Sequence, residues 1–289
     1  MTEGILLALA AALIYGVLGI SLEVVGKRRY PIWVFNFYKM LTGFLLGLAV
    51  ALALRLPLYV PRLMLLGLIG AATFPLTAAA YLTAARERNI AANWTILNLS
   101  VVLPILFSVW WFGDKFSWWK GIGVAFTLVA IVLIGDGFRG VSIRSLKGSW
   151  LGWIGLAFLL NGWLVVMFRF VPPSLGPVFT LYFYGFSVLL VIPILWWTGN
   201  SWRPSRAVLG LAAVSAVAHW SGIILTIVAL ATVARVSHQA GLIVYPITNG
   251  FVIPAGVILG IVILKQKISL LTGAGVVCGM IALAILSLS

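Results

Sequence analysis

Ten runs of apolar residues, each long enough to cross a bilayer, divide this chain, and charge is confined almost wholly to the breaks between them. A membrane-spanning helix needs about 20 consecutive apolar residues. The runs cover approximately 4–25, 32–54, 63–84, 90–111, 118–135, 149–170, 175–198, 206–231, 237–264 and 269–288. The breaks carry Lys27 to Arg29, Arg55, Arg86 to Arg88, Asp114 with Lys115, Arg139 to Lys147, Pro172 with Pro173, Arg203, Arg235 and Lys265 to Lys267. Only 8% of the residues are charged and 63% are hydrophobic. A soluble domain needs about 25% charged residues to cover itself in water. The expected fold is therefore an all-α polytopic membrane protein with ten transmembrane helices. The ninth run is long and holds Pro246 and Pro254, so a tilt or a break is expected there.

The net charge of +14 does not point to nucleic acid. The basic residues stand in ones, twos and threes between apolar runs, not in a patch with interleaved aromatics. They behave as a topology signal. Turns after the odd-numbered runs hold 12 of the 19 Lys and Arg, and the other side holds 6. Lys39 lies inside a run. Positive-inside places both termini outside the cytoplasm. Met1 to Gly4 lacks the basic start of a cleavable signal, so the first run is read as a retained helix. Trp110, Trp111, Trp118 and Trp119 flank one turn, and Trp196, Trp197 and Trp202 flank another, as interfacial anchors do. Cys278 is the single cysteine, which excludes an internal disulfide and a cysteine metal framework. No cofactor or metal is expected.

An internal repeat runs through the chain. Pro31 to Tyr38 aligns with Pro177 to Tyr184 at an offset of 146, and the same offset brings Leu13 to Gly16 onto Leu159 to Gly162. Lys115 to Val124 matches Lys267 to Val276 at an offset of 152, and Pro104 and Pro254 close similar stretches just before. The halves are 1–140 and 145–289, with five spans each. An odd number of spans makes the second copy enter from the opposite side, so the repeat is inverted. Inverted repeats suit secondary transporters, in which a midplane site opens to alternate sides.

Each half ends in an apolar helix with a Pro, a short charged turn, and Gly-x-Gly-Val opening the last helix: Pro104, Asp114 with Lys115, and Gly121 with Gly123, then Pro254, Lys265 to Lys267, and Gly273 with Gly275. On these residues and the five-plus-five plan the chain resembles the EamA-type members of the drug/metabolite transporter (DMT) superfamily. Gln266 stands where many members carry an acidic residue. The resemblance implies an export or exchange carrier for small metabolites, amino acids or drugs in a prokaryotic inner membrane. It also implies a cavity lined by spans 1, 3, 4, 6, 8 and 9, with 5 and 10 peripheral.

Polar groups inside hydrocarbon are costly and mark candidate sites. Lys39 either holds an anionic group of the substrate, pairs with Glu23, or snorkels. Glu23 either exchanges protons or pairs with Lys27 at i,i+4. His219, mid-helix, either passes protons or bonds a neighbouring helix. Trp220 beside it lies far from either interface and needs a buried partner or a ligand. Tyr15 and Asn161 correspond in the two halves and either clamp substrate or bond between helices. Trp94 with Asn98, and Tyr245 with Asn249, are i,i+4 pairs, each on one helix face. Gly43/Gly47, Gly256/Gly260 and Gly275/Gly279 are spaced for close helix packing. The expected partners are a small-molecule substrate and the lipid bilayer, with the chain a monomer or homodimer. A flippase for lipid or lipid-linked substrates is the alternative on the same fold. An intramembrane enzyme is disfavoured, because Glu23 is the lone carboxylate within the runs and only His219 and His238 are histidines.

Overall fold

The computed structural model describes residues 1–87, 90–113, 117–134, 150–199, 202–237, 240–262, 265 and 267–288. Asp114, Lys115, Gln266, His238 and the junction between the halves at 135–149 lie outside the described residues. Among the described residues the chain is helical, with no strand. The helices are α1 (Thr2–Lys27), α2 (Ile32–Ala53), α3 (Pro61–Ala85), α4 (Ile90–Leu99), α5 (Val102–Phe112), α6 (Trp118–Ile134), α7 (Trp150–Met167), α8 (Gly176–Trp197), α9 (Arg206–Ala234), α10 (Ala240–Val262) and α11 (Leu270–Leu288). Helices prevail because in lipid every backbone N–H and C=O must find its partner within the chain. Among the described residues seven spans are long and apolar enough to cross a membrane, with α4 and α5 together forming one of them, and three shorter apolar helices accompany them. This is an integral, multi-pass membrane protein. Trp110, Trp111, Trp118, Trp119, Trp196 and Trp197 are all exposed at helix ends.

The helix break falls elsewhere than the prolines of the ninth run suggest. Helix α10 is continuous through Pro246 and Pro254. The fourth run is the broken one, at Ser100 and Val101. Pro104 has no N–H to give the Ser100 carbonyl, so the chain tightens to three-residue bonds around it. Ser100 N donates to Leu97 O, Val101 N to Asn98 O, and Leu103 N to Ser100 O at 2.9 Å. Gly113 then ends α5 in the left-handed region at φ 68°, a conformation open to a residue without Cβ.

Helix α1 packs along α9, and α3 along α7. Helix α2 packs on α8 and α9, and α3 also on α8. Helices α4 and α5 pack on α7 and α10, α1 reaches α10, and α6 pairs with α11. Small residues let these helices approach closely, as association in lipid requires. A Cβ at Gly47 would stand 3.2 Å from the Leu181 Cα, and one at Gly43 would stand 2.7 Å from the Tyr184 ring. Gly279 faces Thr95 and Leu99 in the same way.

Candidate functional site

One cavity lies where α1, α2, α3, α4, α7, α9 and α10 converge. Its volume is about 80 Å³. Sites that enclose a drug-sized molecule run to roughly 300–1,000 Å³, so this space is too narrow for one in the observed conformation. Eight of the residues singled out in the sequence line it: Tyr15, Lys39, Trp94, Asn98, Asn161, His219, Tyr245 and Asn249. Helix α2 contributes a wall through Lys39, in addition to the six spans that the family resemblance implied. Helices α6 and α11 contribute none.

Two expected residues lie off the cavity. Trp220 is half-buried against the apolar core, and its Nε1 has no hydrogen-bond partner there. Consecutive residues on an α-helix point about 100° apart, so Trp220 turns away when His219 turns in. Glu23 is fully buried but lies beside the Tyr81 hydroxyl and within electrostatic reach of Lys27. The i,i+4 placement of Glu23 and Lys27 on α1 accounts for that second contact.

The cavity's basic group is Lys39. It is fully buried, and its Nζ has no hydrogen-bond partner among the described residues. It sits 4.5 Å from the centroid of the Phe74 ring, a cation–π distance. The Phe74 ring in turn stacks on His219, 4.3 Å between centroids and 9° between planes. His219 Nδ1 is 2.7 Å from Tyr184 Oη, which fixes the imidazole from the side of α8. Lys39, Phe74, His219 and Tyr184 thus join α2, α3, α9 and α8.

The remaining walls are aliphatic and aromatic side chains with a few amides and hydroxyls. Asn98 donates to Trp94 O at 2.7 Å and Asn249 to Tyr245 O at 2.9 Å, so both amides fold back on their own helices. The Tyr245 hydroxyl reaches Val165 O of α7 at 3.2 Å. Asn161 on α7 donates to Ser100 Oγ at 2.8 Å and to Leu97 O at 3.4 Å, at the point where the helix breaks. Tyr15 lies beside Thr226 and fits over Gly222, where a Cβ would come within 2.5 Å of its ring. Trp94 fits over Gly19 in the same manner, at 2.7 Å, and leaves its Nε1 without a hydrogen-bond partner.

Sequence reasoning missed Phe74, Thr77, Tyr81, Phe168, Tyr184 and Thr226. An aromatic or a threonine in an apolar run carries no signal of its own. The Pro31–Tyr38 and Pro177–Tyr184 repeat does contain Tyr184, but as a mark of symmetry and not of a site.

These features define a multi-pass membrane protein with a small cavity, apolar with a few polar side chains, at the meeting point of its long helices. Residues 2–135, most of the first half of the chain, match the model of the EamA-like transporter family, a family of the drug/metabolite transporter superfamily. Members of that superfamily are transporters. No curated protein matches it in sequence. Chains of solved structures do match, 27 of them. One, titled only "Crystal structure of protein", is 15% identical with a TM-score of 0.65, and the match covers 99% of each chain. At that identity the likeness is one of fold.

Proposed function

We propose that the chain is a secondary carrier of small metabolites, amino acids or drugs. It would work by alternating access through the central cavity, between two inverted repeats at 1–140 and 145–289. The observation that carries this reading is the cavity itself: small, with Lys39, His219 and three asparagines set in a largely apolar wall, and lined from both halves, by α1 to α4 on one side and α7, α9 and α10 on the other. The helix contacts support the symmetry. With α1 to α3 taken as equivalent to α7 to α9, the α1–α9 contact becomes α7–α3, and α2–α9 becomes α8–α3. The pairs α2–α8 and α6–α11 map onto themselves. A molecule built this way has two packings of near-equal energy, which is what alternating access needs.

The flippase reading fits less well. The apolar groove between α2, α3 and α8, lined by Phe44, Leu48, Met64 and Leu189, is separate from the central cavity, which holds the buried polar side chains. Glu23 is the only buried carboxylate among the described residues and is engaged outside the cavity, which favours exchange or facilitated diffusion over tight proton coupling. The distribution of Lys and Arg supports both termini on the non-cytoplasmic face.

The test is counterflow in proteoliposomes. Vesicles are loaded with an unlabelled solute, and entry of the same labelled solute is followed, for a panel of anionic, zwitterionic, neutral and cationic compounds. Entry of at least one solute above that in protein-free vesicles is expected. Entry at the protein-free rate for the whole panel would contradict the carrier reading.

A further inference from the structure

We infer that the cavity takes a small organic anion carrying one carboxylate, with Lys39 as its counter-ion. This rests on the carrier reading and names the substrate class of the same site. A charge taken out of water without a partner is strongly disfavoured, so buried charges are paired. Lys39 breaks that rule. It is completely buried on α2, it lines the cavity, and its Nζ finds no hydrogen-bond partner among the described residues. Among the described residues the cavity wall contains no Asp or Glu. The Phe74 face at 4.5 Å offers the ammonium a quadrupole and no acceptor. The missing partner must therefore come with the ligand.

The rest of the wall agrees. Trp94 lines the same cavity and is 3% exposed, with its Nε1 donor unused. Indole N–H groups donate and cannot accept, so this group too calls for an acceptor. Phe74, Tyr81, Trp94 and Phe168 supply aromatic faces for an apolar body. A single ammonium matches a single negative charge. A phosphate monoester would bring more, and a cation or a zwitterion would bring an ammonium that no carboxylate in the wall receives.

The way in has the same sign. A second cavity of about 540 Å³, lined by Arg62, Arg169, Pro172 and Pro173, shares Phe168 with the central one. Arg169 is held there by Ser108 Oγ at 2.9 Å. Basic groups at a mouth raise the local concentration of anions. Phe168, 4% exposed and edge-on to Phe179, stands at the wall between the two spaces.

The experiment is a thermal-shift titration of the full chain in detergent. The probes are benzoate, phenylacetate and indole-3-acetate, with benzamide as the neutral isostere of benzoate and benzylamine as the cation. At least one carboxylate is expected to raise the midpoint, while benzamide and benzylamine do not. Lys39→Met is expected to weaken carboxylate binding at least tenfold, and Lys39→Arg to retain part of it. The inference is overturned if no carboxylate shifts the midpoint, if benzamide or benzylamine shifts it equally, or if Lys39→Met binds carboxylate as the wild type does. The probe series on the unaltered protein decides the matter even where a variant folds poorly. Counterflow of a neutral or cationic solute, insensitive to Lys39→Met, would sink the anion assignment and leave the carrier reading standing.

Discussion

Asn161 donates its side-chain amide to Ser100 Oγ at 2.8 Å, across the interface between α7 and the break that separates α4 from α5. The same amide reaches Leu97 O at 3.4 Å. One side chain from the other half of the molecule thus bonds the chain at the point where the helix breaks. Interhelical hydrogen bonds in membranes average about 0.6 kcal/mol each. Asn161→Ala is therefore expected to lower stability by about 1 kcal/mol, read as a drop in the thermal midpoint in detergent. A midpoint unchanged from wild type would show that the break is held without Asn161.

Gly43 sits beneath the Tyr184 ring, where an added Cβ would stand 2.7 Å away, while Gly155 has no heavy atom within 4 Å of that position. Gly43→Ala must push Tyr184 aside, and overpacking of this kind costs typically 1–3 kcal/mol. Gly155→Ala gains helix propensity, roughly 0.5–1 kcal/mol. The two substitutions are expected to move the thermal midpoint in opposite directions. A like shift from both would mean that the close approach of α2 and α8 carries no weight.

Tyr184 also fixes His219, at 2.7 Å from its Nδ1. Tyr184→Phe keeps the ring and leaves a buried imidazole nitrogen without its partner, a loss of about 1–3 kcal/mol. Lower stability together with weaker solute counterflow is expected, since His219 faces the cavity. Full activity in the Phe variant would place the Tyr184–His219 pair outside the transport machinery.

Lys39 gives the opposite pattern. Replacing an unpaired buried cation with an apolar side chain of similar volume removes a desolvation penalty of roughly several kcal/mol. Lys39→Met is expected to raise the ligand-free thermal midpoint while abolishing response to carboxylates. A marked fall in the ligand-free midpoint would show that Lys39 is a structural group.

The spans were legible in the sequence because the bilayer leaves helices few alternatives, and the polar residues of the site because hydrocarbon makes each of them conspicuous. Lys39, His219, Asn98, Asn161 and Asn249 stand out for that reason, and the structure brings all five to one cavity. Direction around a helix was less legible. Trp220 follows His219 in the chain and yet faces the core, because one residue turns a helix by about 100°. The break was misplaced because prolines mark a weakened backbone without saying which one opens. Pro246 and Pro254 are absorbed by α10, whereas Pro104 acts where Asn161 bonds Ser100 and Leu97. Phe74 and Tyr184 had no signal at all, since their part in the site comes wholly from the side chains that pack around them.

Alternation of the central cavity between the two faces of the membrane is best tested at Thr77, which lines the cavity and is 4% exposed. A Thr77→Cys substitution in a Cys278→Ser background places one thiol there with little change of shape. Right-side-out and inside-out vesicles are treated in turn with a membrane-impermeant thiol reagent, and the rate of labelling is measured. Labelling from both faces is expected, each faster as that face opens. Labelling from one face alone, under every condition of solute on either side, would contradict an alternating-access carrier.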